Sequence, residues 1–339
     1  MKKMRKQLMK LLSIHGVSSK EGNVRNYLKP ILENSMDEVV IDSYSNLLAT
    51  KKIGNGAGAT VLLSAHMDTV RGVLSDRKVL VSNDGDTITS NKGALGADDR
   101  AGIAIILEVL RNIESLSFQG TLKIAFSREE EIGCVGAKQI NPKWYSDVDL
   151  AIVVDRRGNR DIVTGCYNAF CSDAVGNFFE EASKMQGMNW KAVEGGISDA
   201  TVFSNKGINS VNLSAGYRNE HTDKEYVVFS DMVDTVRLIL QAFAIVNTFY
   251  KTFGEVPMYN NWVQDYTKSK GYSKYQYYTE EDFAFMFQED IYAEVVSPED
   301  GDVYVYEAGH KIIIEQGGNE IVLSKESLKS LVEQLSVTV

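Results

Sequence analysis

At 339 residues the chain exceeds a typical single domain, so one large or two unequal domains is the expectation; 44% hydrophobic and 24% charged residues supply ample material for a core. Lys and Arg total 36 against 46 Asp and Glu, a net charge of −10 that argues against nucleic acid or an anionic membrane as the main partner. Three cysteines, Cys134, Cys166 and Cys171, occur without a CxxC pair, which suits free thiols in a reducing, cytoplasmic setting better than a disulfide framework.

The opening "MKKMRKQLMKLLSIHG" is basic and then apolar, superficially like a signal peptide. Lys10 interrupts the apolar stretch, no small-residue cleavage site follows, and the apolar spacing fits an amphipathic helix. No run approaches the ~20 apolar residues that a membrane span requires. Further helices are expected at 19–34, 99–115, 172–187 and 229–249, the last with a Ser-Asp cap signal at Ser230-Asp231. Between them lie apolar runs: "TVLLSA" (60–65), "TLKIAF" (121–126), "LAIVV" (150–154) and "SVNLS" (210–214). Continuous rather than alternating hydrophobicity means strands buried on both faces, the pattern of a sheet with helices on each side. A polar hairpin is expected over 77–93, with turns at "NDGD" and "NKG".

After residue 250 the composition changes. Twelve aromatic residues fall between 250 and 288, followed by strand-like runs with turns at Ala308-Gly309 and Gly317-Gly318 and a short helix at 325–335 behind Ser324. The expected organisation is a catalytic domain over 1–250 and a small, aromatic-rich α+β appendage over 251–339. The appendage either packs over the core or offers a contact to a second copy or another partner.

Each apolar run ends in polar residues that a core strand does not need. "TVLLSA" runs into His66-Met67-Asp68, "TLKIAF" into Ser127-Arg128 and three glutamates, and "LAIVV" into Asp155. "SVNLS" leads to "GYRNEHTDKE" with His221, and "GADDRAG" sets Asp98 and Asp99 at the mouth of a helix. Singly, each has a plain structural explanation: a strand-end histidine, a helix cap, a solvated run of glutamates. In an open α/β sheet, however, the functional crevice lies beyond the carboxyl ends of the strands, so five segments deliver two imidazoles and several carboxylates to one rim. That mixed N/O set suits Zn²⁺ or a similar divalent ion, and it is large enough for two ions sharing a carboxylate. The His-x-Asp spacing of "HMD" also lets Asp68 orient the imidazole.

Taken in order, "SAHMDTV", "GADDRAG", "REEEIG", "VVD" and "GYRNEHTDKEYV" resemble the motifs of the co-catalytic dinuclear zinc exopeptidases, a clan with peptidase-T-like, carboxypeptidase-G-like and bacterial leucyl aminopeptidase branches. The likeness spans about residues 8 to 247. It implies an α/β fold with a mostly parallel mixed sheet sandwiched by helices, and two divalent ions, zinc or alternatively cobalt or manganese. His66 and Asp155 are implied ligands of the first ion, Glu131 and His221 of the second, and Asp98 the bridge, with the Asp98–Asp99 peptide often cis in this clan. Asp68 is implied to orient His66, Glu130 to be the general base, and Glu129 to be an acidic bystander.

Only 66 positions separate Asp155 from His221, where the resembling tripeptidase and carboxypeptidase branches carry an inserted lid, and only 32 separate His66 from Asp98, where the tetrahedral aminopeptidases carry their insert. The layout is that of a bare catalytic core. Without a lid, substrate contacts are sought in Tyr217 and Arg218 and in "GGISDA", through Ser198 and Asp199, the latter pair serving equally as a helix cap. His15 and His310 read as structural. The leading expectation is an aminopeptidase acting on small peptides, whose acidic pocket favours a protonated N-terminus. The alternatives are a deacylase or carboxypeptidase-like amidohydrolase on the same site, for which Arg218 is the one well-placed cation, and a non-catalytic binding module built on the peptidase core.

Overall fold

The computed structural model describes residues 2–257 and the backbone of four strands beyond them, at 293–295, 303–308, 311–316 and 319–324. The chain divides into two compact units, Met1–Tyr266 and Thr267–Val339. In the second unit β14 (Ala293–Val295), β15 (Val303–Ala308), β16 (Lys311–Gln316) and β17 (Asn319–Ser324) form an antiparallel sheet in sequence order. The aromatic stretch beyond residue 257, the two expected turns, His310 and the helix expected at 325–335 lie outside the described residues.

The first unit opens with helices α1 (Lys2–Leu12) and α2 (Gly22–Glu33) and strands β1 (Glu38–Ile41), β2 (Leu47–Ile53) and β3 (Thr60–His66). The hairpin β4 (Val79–Val81) and β5 (Thr87–Ser90) follows, then α3 (Ala97–Asn112) and β6 (Gly120–Ser127). Next come α4 (Val135–Gln139), α5 (Pro142–Tyr145), β7 (Leu150–Arg156), β8 (Asp161–Cys166) and β9 (Asn168–Ala169). The unit closes with α6 (Asp173–Met185), β10 (Lys191–Glu194), α7 (Asp199–Ser204), β11 (Ser210–Ser214), β12 (Tyr217–Arg218), β13 (Tyr226–Val228) and α8 (Phe229–Phe249).

The main sheet runs β1-β2-β6-β3-β7-β11-β8-β10, with β9 beside β8. Its centre, β6-β3-β7-β11, is parallel; β2 and β8 join it antiparallel. Successive residues of the central strands feed two separate cores. Val61, Leu63, Ala65, Ile152 and Val154 belong to the core under α1, α3 and α8, whereas Leu62, Ala151 and Val153 belong to the one on the opposite face. That two-sided burial is why these runs are continuously apolar.

The flanking strands carried little signal. In β2 the pattern "LLATKKI" includes two lysines because that part of the strand is only partly covered, and β8 and β9, toward the other side of the sheet, mix Thr, Gly and Asn. The cap of α8 differs from the expectation. Ser230 does not cap its own helix; its backbone N–H and its hydroxyl both donate to the carboxylate of Asp86, at 2.8 and 2.7 Å, from the turn of the β4–β5 hairpin. A carboxylate at a helix N-terminus is favourable whichever segment supplies it.

Candidate active site

Parallel register brings the strand ends level. His66, the last residue of β3, pairs with Ser127, the last residue of β6, so the three glutamates begin two residues past the point where the imidazole leaves the sheet. Ser64 pairs with Val153, which sets Asp155 of β7 at the same height as His66. Asp98 arrives from the entry to α3. There the backbone is extended (φ −77°, ψ 107°) and the Asp98–Asp99 peptide is cis, as the resemblance implies. His221 sits in the β12–β13 loop with a positive φ of 64°.

The side chains converge. His66 Nε2 lies 3.0 Å from Asp98 Oδ1, 3.5 Å from Asp155 Oδ1 and 3.9 Å from Glu130 Oε2. His221 Nε2 lies 2.8 Å from Glu131 Oε2 and 3.2 Å from the other oxygen of Asp98, Oδ2. Asp98 therefore stands between two imidazoles, one oxygen toward each. Its neighbour Asp99 does what a helix-entry aspartate ordinarily does, accepting the Gly102 N–H at 2.9 Å, so the adjacent pair divides cap and cluster between them.

The triplet divides as well. Glu130 and Glu131 face the cluster, while Glu129, at a positive φ of 52°, turns away to Ser19 (2.7 Å), Tyr44 and Arg128 (3.1 Å). Arg128 in turn pairs with Glu21 at 2.7 Å. Asp68 is fully buried beneath the site. Its Oδ1 lies 3.2 Å from His66 Nδ1, and its two oxygens accept the backbone N–H groups of Glu130 (3.1 Å) and Glu131 (3.2 Å) and the Ser18 hydroxyl (2.7 Å).

The residues expected to contact substrate are each held by neighbouring side chains or backbone. Tyr217 is buried and its hydroxyl donates to Asp155 Oδ1 at 2.9 Å, so it braces a member of the cluster. Arg218 reaches away to Asp231 at 2.8 Å. Ser198 caps α7, accepting the Ala200 N–H, and Asp199 is buried against Ser127, which donates to its Oδ2. His15 is exposed past the end of α1.

Two participants had no role assigned from the sequence. Glu225 accepts the backbone N–H groups of Gly96, Ala97 and Asp98 at 2.7, 2.7 and 3.1 Å, fixing the loop that presents Asp98. The Cys134 thiol donates to Glu130 Oε1 at 3.4 Å. Glu225 follows His221 by four residues, and Cys134 follows Glu130 by four. Only the fold shows that Cys134 turns back to Glu130 and that Glu225 reaches the Gly96–Asp98 loop.

The electrostatics fit a cationic occupant. Burial and then Asp155 hold Glu130 well above the usual carboxylate range, and burial and then Asp98 push Glu131 up to about 8. Burial raises Asp155 to about 7 even though His66 pulls the other way. Burial would lower His66, but Asp155 and the other carboxylates raise it well above its ordinary value; His221 is raised to about 9, first by its bond to Asp98. The chain's own cations thus leave the carboxylates under-neutralised, and Glu131 Oε1 is buried with no hydrogen-bond partner. A mixed set of imidazole and carboxylate donors with one orphaned oxygen is what a divalent ion completes. The atoms are close enough: His66, Asp98 and Glu131 each offer one donor within 4.8 Å of the others, as do His66, Asp99 and Asp155.

A mainly parallel sheet whose strand ends gather two imidazoles around one carboxylate is similar to the arrangement of the co-catalytic metallo-exopeptidases, and the comparisons with known proteins point the same way. A model of the M42 glutamyl aminopeptidase family matches residues 73–238. The chain is 26% identical to the uncharacterized protein YqjE of Bacillus subtilis (strain 168) over 63% of this chain and 55% of that protein. It is 21% identical to a putative aminopeptidase of Acetivibrio thermocellus over 69% of this chain and 97% of that one. It thus spans about half the length of the first relative and nearly all of the second. Among solved structures, a tripeptidase from Staphylococcus aureus superposes with a TM-score of 0.65 at 19% identity, covering 73% of this chain and 98% of that one, which is a likeness of fold.

Proposed function

We propose that the protein is a metal-dependent aminopeptidase that hydrolyses the N-terminal peptide bond of small peptides. The observation that carries the reading is Asp98, with one carboxylate oxygen 3.0 Å from His66 Nε2 and the other 3.2 Å from His221 Nε2. In this reading His66, Asp98 and Asp155 would hold one divalent ion and His221, Asp98 and Glu131 a second, zinc being the metal the N/O donors suit first and cobalt or manganese the alternatives. When bound, such a pair supplies Lewis-acid polarisation of the scissile carbonyl and acidifies water.

The chain's residues do the rest. Glu130 is the general base, a partly exposed carboxylate whose Oε2 lies 3.9 Å from the imidazole that Asp98 also meets. It takes the proton of the attacking water and gives it to the leaving amine, the two halves of acid–base catalysis by one group. Asp68 fixes the tautomer of His66 by standing at Nδ1, so that Nε2 is left as the donor atom. Tyr217 holds Asp155, and Glu225 holds the backbone of Asp98. The concentrated negative charge favours a substrate with a protonated amine. Arg218, the cation that a deacylase reading needs for a substrate carboxylate, is engaged by Asp231. The buried free cysteines accord with a cytoplasmic setting.

The test is a panel of free aminoacyl, N-acyl and dipeptide substrates, assayed with Zn²⁺, Co²⁺ or Mn²⁺ and after chelation. Cleavage of free N-termini that is lost on chelation and restored by metal is expected. Cleavage of blocked but not free N-termini would reject the reading.

A further inference from the structure

Beside Glu130 lies a second group of donors, of which this reaction uses Glu130 alone. One atom each from Glu130, Cys134 and Asp199 falls within 4.8 Å of the other two. Cys134 is 2% exposed and Asp199 1% exposed, and Cys134 Sγ is 3.4 Å from Glu130 Oε1. Ser127 donates to Asp199 Oδ2, which leaves Oδ1 of the same buried carboxylate with no hydrogen-bond partner. A buried, unpaired carboxylate oxygen costs free energy unless something completes it.

We propose that Glu130, Cys134 and Asp199 form a third metal site, selective for soft divalent ions, whose occupation inhibits the enzyme by taking Glu130 out of service. One sulfur and two carboxylate donors leave room for a water as a fourth ligand, the coordination number that Zn²⁺ and Cd²⁺ accept. The single thiolate sets the preference: Cd²⁺ or excess Zn²⁺ binds, whereas the hard ions Mg²⁺ and Mn²⁺ do not compete for sulfur. On binding, the metal–sulfur bond forms as the thiol proton leaves to solvent, and Glu130 Oε1 exchanges its bond from that thiol for the metal. Entry is through Glu130, whose other oxygen faces the cleft at His66. The inhibitory consequence rests on Glu130 being the base; the binding itself does not.

Binding and inhibition are therefore read separately. Protein already loaded with its activating metal is titrated with Cd²⁺ while the ultraviolet cadmium–thiolate charge-transfer band, bound metal and peptidase activity are followed. We expect one further equivalent of Cd²⁺, growth of the band, and activity falling in step with it, without release of the metal already bound; Mg²⁺ should do none of these. Cys134→Ala should abolish the band and the extra equivalent, Cys134→Ser should abolish the band while preserving the fold, and Asp199→Asn should weaken binding at least about 10-fold. A band that persists in Cys134→Ala belongs to Cys166 or Cys171 and overturns the site, as does inhibition accompanied only by loss of the activating metal. If the band and the stoichiometry appear while activity is untouched, the site stands and the role of Glu130 falls.

Discussion

Asp68 and His66 are joined from below the site: the carboxylate is fully buried, and its Oδ1 lies 3.2 Å from the imidazole Nδ1. The same carboxylate accepts the backbone N–H groups of Glu130 and Glu131, so one side chain couples the end of β3 to the glutamate loop after β6. It keeps a low pKa of about 2 despite burial, because His66, Ser18 and the Glu130 N–H stabilise its charge. Asp68→Asn should therefore do more than remove a charge. The amide places an NH₂ where an acceptor is needed, opposite the loop N–H groups or the Ser18 hydroxyl. The expected result is a fall of about 10–100-fold in metal affinity, typical of losing a partner that orients a ligand, with kcat/KM falling alongside. Competition against a chelator measures the first and initial rates the second; unchanged metal affinity would confine Asp68 to a packing role.

The glutamate triplet makes a prediction one residue wide. Glu130→Gln should keep the metals and lose turnover by roughly 10²–10⁴-fold, the usual worth of a positioned base. Glu131→Gln should bind one metal less firmly, seen as a lower metal content after dialysis. Glu129→Gln should retain most activity, because its carboxylate is turned to Ser19, Tyr44 and Arg128. Its cost should appear in thermal stability instead. If Glu129→Gln is the inactive variant, the assignment of the triplet is displaced by one.

That register shows how much could be read in advance. The central strands and the helices that cover them follow from continuous apolar runs and 3.6-residue spacing, and the cluster follows because those runs end in His66, Asp155 and the glutamates. What stayed hidden depends on the chain turning back. Tyr217 reads in sequence as a substrate contact beside His221, and β12 carries its ring into the core and its hydroxyl to Asp155. Glu225, four residues past His221, lies within the quoted motif but shows no role there, and only the pairing of β13 with β5 brings it to the Gly96–Asp98 loop. Asp86 likewise caps α8 from 144 positions away, a distance at which local cap rules carry no signal.

Glu225 yields the third prediction. Its carboxylate accepts three consecutive backbone N–H groups, and nothing else in the loop could replace it for all three. Leaving buried donors unsatisfied costs about 1–3 kcal/mol each, so Glu225→Ala should destabilise the protein by about 3 kcal/mol or more. Because Asp98 is one of the three, metal binding should weaken as well. Glu225→Gln keeps one acceptor oxygen but turns an NH₂ toward a backbone N–H, and should fall between wild type and Ala. Urea unfolding of the metal-free protein isolates the structural part, and repeating it with metal reads the second. A stable Glu225→Ala protein with wild-type metal affinity would sink the argument.

Two helical glycines set ordinary helix propensity against close packing. Replacing an interior helix glycine by alanine normally gains up to about 1 kcal/mol. At Gly176 in α6, an added Cβ would meet the Thr164 methyl at 3.3 Å and the Ala192 Cβ at 3.5 Å, side chains that can give by a few tenths of an ångström. Gly176→Ala should lie within about 1 kcal/mol of wild type. At Gly102 in α3 the same Cβ would stand 2.0 Å from the Val154 carbonyl oxygen and 2.4 Å from Asp99 Oδ1. Neither can yield: Val154 is in the central strand β7, next to Asp155, and Asp99 is bound to the Gly102 N–H itself. Gly102→Ala should therefore cost more than about 3 kcal/mol, beyond the usual range for overpacking. It should also push α3 off the sheet at the point where Asp98 enters the cluster, so metal affinity should drop with stability. Thermal melts of the two variants with and without metal compare them directly. If Gly102→Ala melts at or above the wild-type temperature, the close approach of α3 to β7 is not what fixes Asp98 in place.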